Sequence, residues 1–130
     1  MKTWAMAYGA ALLVLAVLDG IWLGIAARDF YQRELADLMA EQIRIVPALL
    51  FYLLYPAGVV TLGLWPRPPT LTACAARCGI VGALAYGTYD LTNLATLNGW
   101  SATLTIVDIV WGIVITAAMG AAAWRVSRAG

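Results

Sequence analysis

The stretch YGTYDLTNLATLNGW, residues 86–100, decides how the chain is read. It closes an apolar run that begins near Leu71, and it places Asp90 where hydrocarbon is expected. NGWS at 98–101 reads as a tight turn, and a second apolar run follows from Ala102 to Trp124. Runs of about 20 apolar residues are long enough to cross a bilayer as helices. The stretch is therefore the end of one span and the turn into the next, with a carboxylate inside the first.

The rest of the chain has the same character. Of 130 residues, 63% are hydrophobic and 12% charged, and the mean hydropathy is +0.83. A soluble domain of this size is about 45–50% apolar. The net charge of +1 gives no sign of a nucleic-acid partner. The sequence has no histidine, so the commonest metal ligand and near-neutral acid–base group is missing, and neither metal nor cofactor is expected. Cys74 and Cys78 lie i,i+4, about 5–6 Å apart on a helix, too far for an easy disulfide. They read as small packing residues.

Two further spans precede these. WAMAYGAALLVLAVLDGIWLGIAA covers Trp4–Ala27. Lys2 before it and IAA at its end imitate a signal peptide, but the run is long for one and carries Asp19, Trp22 and Gly24. Val46–Trp65 has Pro47 in a first helical turn and is stopped by WPRPP at 65–69. Between them, residues 28–45 carry charges, with Phe30, Tyr31, Leu35, Leu38, Met39 and Ile43 at helical spacing. Arg33 and Asp37 can pair at i,i+4. This segment reads as an amphipathic helix lying on the bilayer, the alternative being a polar loop. The expected fold is all-α: a single polytopic domain over residues 1–130, with four transmembrane helices and a short interfacial helix between the first and second.

Four spans put both termini on one side, with Lys2, Arg67, Arg77, Arg125 and Arg128; Arg28, Arg33 and Arg44 fall on the other. The positive-inside rule then favours cytoplasmic termini, in a bacterial inner membrane. Trp4, Trp65, Trp100 and Trp124 fall at span ends, as an aromatic belt requires.

With this topology, Asp19, Asp90 and Asp108 each lie about seven or eight residues from the outer end of a span. At 1.5 Å per residue that is roughly 10–12 Å deep. A charged Asp near the bilayer centre costs about 2.5–3.5 kcal/mol on insertion scales, so lipid-facing placement is disfavoured. Tyr52 and Tyr55 fall near the same level. Helical spacing adds Tyr86, Tyr89 and Asn93 beside Asp90, and a repeated D-x-x-W pairs Asp19 with Trp22 and Asp108 with Trp111 over one turn. Pro56 frees the carbonyl of Tyr52 at the same depth. These ten side chains form a candidate ligand- or proton-binding pocket. The structural alternative is a polar cluster that only fixes helix register. Small-residue stripes at Ala16–Gly20–Gly24, Ala75–Gly79–Ala83–Gly87 and Gly112–Thr116–Gly120 are expected to bring helices close.

LDGIWLG at 18–24, DFYQREL at 29–35, LLFYLLYPAG at 49–58, YDLTNLATL at 89–97 and VDIVWG at 107–112 together resemble the DUF2177 family of bacterial integral membrane proteins. The resemblance covers nearly the whole chain. It implies a small membrane protein and brings no activity with it. Three functions compete. One is a protein that binds, and transports in a proton-linked way, a small or lipid-like ligand. A chain this small would then act as a homodimer; its size and buried acids are like those of small multidrug exporters by analogy alone. Another is an intramembrane enzyme on a lipid-like substrate, using carboxylates and tyrosines for proton transfer. The third is an accessory protein whose acids are structural.

Overall fold

The computed structural model describes residues 2–36, 38–40 and 44–129. Helix α1 spans Lys2–Ile21 and continues through a π-helical turn, Trp22–Ala26. Helices α2 (Arg28–Glu34), α3 (Ile45–Leu64), α4 (Leu71–Thr96) and α5 (Ala102–Ala129) follow. Four of these are long and apolar enough to cross a membrane: Lys2–Ala26, Ile45–Leu64, Leu71–Thr96 and Ala102–Arg128. The all-α, four-span architecture is thus as expected. The intervening helix is shorter than its 28–45 pattern suggested. It ends at Glu34, and Leu35 turns back with its N–H on the carbonyl of Tyr31. The Arg33–Asp37 pairing and the position of Ile43 lie outside the described residues.

Each long helix keeps an apolar outer face. Leu13, Val17 and Ile21 of α1, Leu50 and Leu54 of α3, Ile80 and Leu84 of α4, and Ile106, Val110 and Val114 of α5 are all exposed. In water such faces would be untenable; in hydrocarbon they are the solvent-matched surface. Helix α5 is the central post, packing most extensively on α4 and next on α1. The dry core lies in the half nearer the termini. It joins Ala7, Ala11 and Leu15 to Val59, Val60 and Leu64, Cys74 and Cys78, and Ile115, Met119 and Ala123.

Glycines set the approach of the helices there, though not all those the stripes suggested. A Cβ on Gly112 would run into the ring of Tyr86, one on Gly82 into Gly112 and Thr116, and one on Gly120 into Cys78. By contrast, a Cβ on Gly20, Gly24 or Gly87 meets open space. The tightest contacts of α4 run along Cys74–Cys78–Gly82–Tyr86, while the expected Gly79 packs beside them against Ile113 and Gly87 is buried without a close neighbour. The cysteines are free and buried, and Cys74 lies 3.4 Å from the carbonyl oxygen of Gly120.

The ends are pinned by polar contacts. Thr70 caps α4 by accepting from the Ala73 N–H at 3.1 Å. Arg67, in the WPRPP turn, donates to Ser127 Oγ at 2.5 Å and to the Trp124 carbonyl at 3.1 Å, and lies 4.9 Å over the Trp124 ring. At the opposite end, Gly99 has φ +86° in the α4–α5 turn, a left-handed conformation that glycine adopts without penalty. Ser101 caps α5 by accepting from Leu104 N–H at 2.9 Å, and donates to Glu34 Oε1 at 2.8 Å. One hydroxyl thus ties the end of α2 to the start of α5.

The packing makes a contrast testable. Gly112→Ala should cost about 1–3 kcal/mol by overpacking, whereas Gly20→Leu should stay within about 0.5 kcal/mol of the native protein. Unfolding in mixed detergent micelles measures both, and equal loss for the two variants would contradict the assignment.

Candidate functional site

The half of the bundle away from the termini is hollow. A cavity of about 570 Å³ is lined by Asp19, Trp22, Leu23, Tyr31, Leu35, Ala48, Phe51, Tyr52, Ala85, Tyr86, Tyr89, Trp100, Leu104, Asp108 and Trp111. Every helix contributes. The wall is mainly aromatic and aliphatic, with two carboxylates set into it. Among the described residues, no Lys or Arg lines it.

Asp19, on α1, is buried. It accepts from the hydroxyl of Tyr52 on α3 and from Trp111 Nε1 on α5 at 3.1 Å. Asp108, on α5, accepts from the hydroxyl of Tyr31 at 2.7 Å. That hydroxyl in turn accepts from Trp22 Nε1 at 3.2 Å. The D-x-x-W pairs do not serve themselves as expected; they are crossed. Each tryptophan serves the carboxylate of the other helix, Trp111 directly and Trp22 through Tyr31. The crossing follows from geometry: α1 and α5 run antiparallel, and the two indoles stack with centroids 4.4 Å apart and planes 8° from parallel. The π-helical turn sits at this point. Its i→i+5 bond, Ala27 N–H to Trp22 carbonyl at 2.7 Å, widens the helix where Trp22 must face inward.

Tyr31 is the residue the sequence reading placed on the bilayer surface. Instead α2 folds back over the bundle mouth and delivers the phenol to Asp108. Burial, reinforced by the carboxyl of Asp108, pushes that phenol well above the ordinary tyrosine range, against the smaller opposing effect of Trp22. Tyr31 is therefore a neutral hydrogen-bond donor throughout the physiological range. The only sequence signal for this role is a hydroxyl-bearing aromatic on an otherwise apolar face. Phe51, Trp100 and Leu104 also line the cavity without having been anticipated.

Asp90 is fully buried at 0% exposure. It stands beside the carboxyl of Asp108, and among the described residues neither of its oxygens has a hydrogen-bond partner. An ionised carboxylate only accepts, and among the described residues no donor meets Asp90. Asp90 does not itself form the cavity wall.

The remaining expected residues divide. Trp22, Tyr52, Tyr86, Tyr89 and Trp111 join Asp19 and Asp108 around the cavity; Tyr55 and Asn93 do not. Tyr55 turns toward α5, its hydroxyl 2.6 Å from Thr116 Oγ1. Near Pro56, Tyr8 of α1 donates to the carbonyl of Leu53 at 2.8 Å, one residue beyond the carbonyl that Pro56 frees.

A fold of four apolar spans enclosing acids, tyrosines and tryptophans defines a polytopic membrane protein with a buried polar centre. A family model described as "Predicted membrane protein (DUF2177)" matches residues 4–125, and the chain belongs to that family. Comparisons with curated proteins and with solved structures gave no match.

The Tyr31 bridge predicts a stability effect. Tyr31→Phe keeps the ring and removes the donor, leaving an acceptor on Asp108 unpaired. The expected loss is about 1–3 kcal/mol in denaturant unfolding. Unchanged stability would mean that α2 does not dock on α5 through this bond.

Proposed function

We propose that the protein binds a small or lipid-like ligand in this cavity and exchanges it against a proton. One observation supports this most: a cavity of about 570 Å³, with two carboxylates in an aromatic wall. Ligand sites commonly measure about 300–1,000 Å³ and combine an apolar lining with a few convergent polar groups. A cluster that merely fixed helix register would close on itself, as Tyr55 and Thr116 do.

Asp19 and Asp108 meet the ligand in this reading, with Trp22, Tyr52, Tyr86, Tyr89 and Trp111 shaping its seat. Asp90 stands behind Asp108 as a second, fully buried acid. Buried acids of this kind mark proton relays in membrane proteins. The protein sits in a bacterial inner membrane with cytoplasmic termini, and four helices are few for an enclosed path, so transport would take place in a homodimer. Labelling of a single cysteine at Lys2→Cys tests the orientation; reaction from the outside alone would reverse it.

Native mass spectrometry after mild detergent extraction tests the binding reading. The native protein should carry a bound small molecule or take one up from a lipid extract. Occupancy should fall with Tyr52→Phe and further with Asp19→Ala, because the first loses one donor and the second the anchoring carboxylate. A protein that stays ligand-free under every extraction condition would favour the structural reading.

A further inference from the structure

The cavity is not closed toward the bilayer. On α3 the buried residues Pro56, Val59, Val60, Gly63 and Leu64 all lie in the inner half. Its outer half leaves Ile45, Val46, Leu49, Leu50 and Leu54 exposed. Helix α3 is thus packed in its inner half and largely bare in its outer half. Three residues of the cavity wall show the result: Leu23 is 45%, Phe51 42% and Tyr89 55% exposed. These lie on helix flanks at bilayer depth, so the opening faces hydrocarbon.

The chemistry inside is equally one-sided. The ring donors nearest the carboxylates are engaged: Trp111 and Tyr52 on Asp19, Tyr31 on Asp108, and Trp22 on Tyr31. Toward the cavity remain π faces, carboxylate lone pairs, and the polar tips of Tyr86, Tyr89 and Trp100 farther round the wall. A carboxylate has about four lone-pair sites. Asp19 fills two of them and Asp108 one, and the buried Asp90 behind it fills none. Among the described residues the wall carries two carboxylates and no Lys or Arg to balance them. An anion would be repelled, and a neutral chain would leave that charge uncompensated. An ammonium ion supplies charge and donors together, or, if quaternary, charge against the aromatic faces.

Resting on the binding reading above, we infer that the ligand is a lipophilic ammonium cation. Its charge sits between Asp19 and Asp108 beside the Trp22–Trp111 stack, and its hydrocarbon part lies in the opening beside α3, reached sideways from the bilayer. Protons compete for the same carboxylates. The titratable groups facing the seat are Asp19, Tyr31, Tyr52, Tyr86, Tyr89 and Asp108, with Asp90 behind. A proton on either carboxylate would cancel the charge that holds the cation, which is how the two exchange.

Binding of dodecyltrimethylammonium, dodecanol, dodecyl sulfate and tetramethylammonium to the protein in phosphatidylcholine nanodiscs tests this, with tryptophan fluorescence as readout and empty nanodiscs as reference. Dodecyltrimethylammonium should bind saturably, on the order of tenfold more tightly than the other two dodecyl compounds. Asp19→Asn and Asp108→Asn, which keep shape and hydrogen bonding, should each weaken it by a similar factor. Ala85→Trp, which fills space at the cavity wall, should weaken it. Dodecanol or dodecyl sulfate binding as tightly would overturn the ammonium assignment and leave the binding reading standing. Tetramethylammonium binding as tightly as its dodecyl analogue would overturn the lateral seat. Saturable binding of none of the four overturns the ammonium inference; a co-purifying molecule seen by native mass spectrometry would still preserve the binding reading, and its absence would end both.

Discussion

A carboxylate cannot face hydrocarbon without a partner, and three of them arrive at one depth. The rest of the structure is arranged around that constraint. Among the described residues no Lys or Arg lines this cavity to neutralise the acids, so the partners of Asp19 and Asp108 are hydroxyls and indole N–H groups. Tyr52 and Trp111 serve Asp19, and Tyr31 with Trp22 behind it serves Asp108. Each donor comes from a different helix from the acid it serves. The polar layer therefore couples α1, α2, α3 and α5, and neighbouring helices are held by bonds that hydrocarbon cannot replace.

That requirement divides the molecule into two halves with different packing rules. Toward the termini, glycines and cysteines let the helices close until backbone meets side chain, and little room is left. Toward the other end, aromatic side chains line the space between the helices, and the outer half of α3 buries little of its surface. Tyr86 marks the border, its ring against Gly112 on one side and the cavity on the other. A tight half gives a stable frame, and a hollow half gives space and access from the side. This division suits a protein that must hold a site open inside a bilayer.

The spans were legible because hydropathy and length act locally, and WPRPP and NGWS stop helices by local chemistry. The common depth of Asp19 and Asp108 was also legible, since rise per residue converts sequence position to depth. Three features were not. The crossing of the D-x-x-W pairs depends on how α1 and α5 face one another, which spacing within one helix does not encode. The tightest row on α4 was missed because Gly79 and Gly87, which are buried, are more conspicuous than Cys78 and Gly82, and volume alone does not say which row approaches a partner most closely. Tyr31 was assigned to the bilayer because an amphipathic pattern reports an apolar face without saying whether lipid or protein covers it.

The shared layer is tested most directly by distance within the membrane. In a background with Cys74→Ala and Cys78→Ala, a short bifunctional thiol reagent is applied to the pair Asp19→Cys with Asp108→Cys. The control is Asp19→Cys with Ile106→Cys, because Ile106 lies on the lipid face of α5 at 64% exposure. Two acids lining one cavity predict a cross-link for the first pair and none for the second. Absence of the first link, or equal yield from both, would mean that Asp19 and Asp108 do not face a common centre.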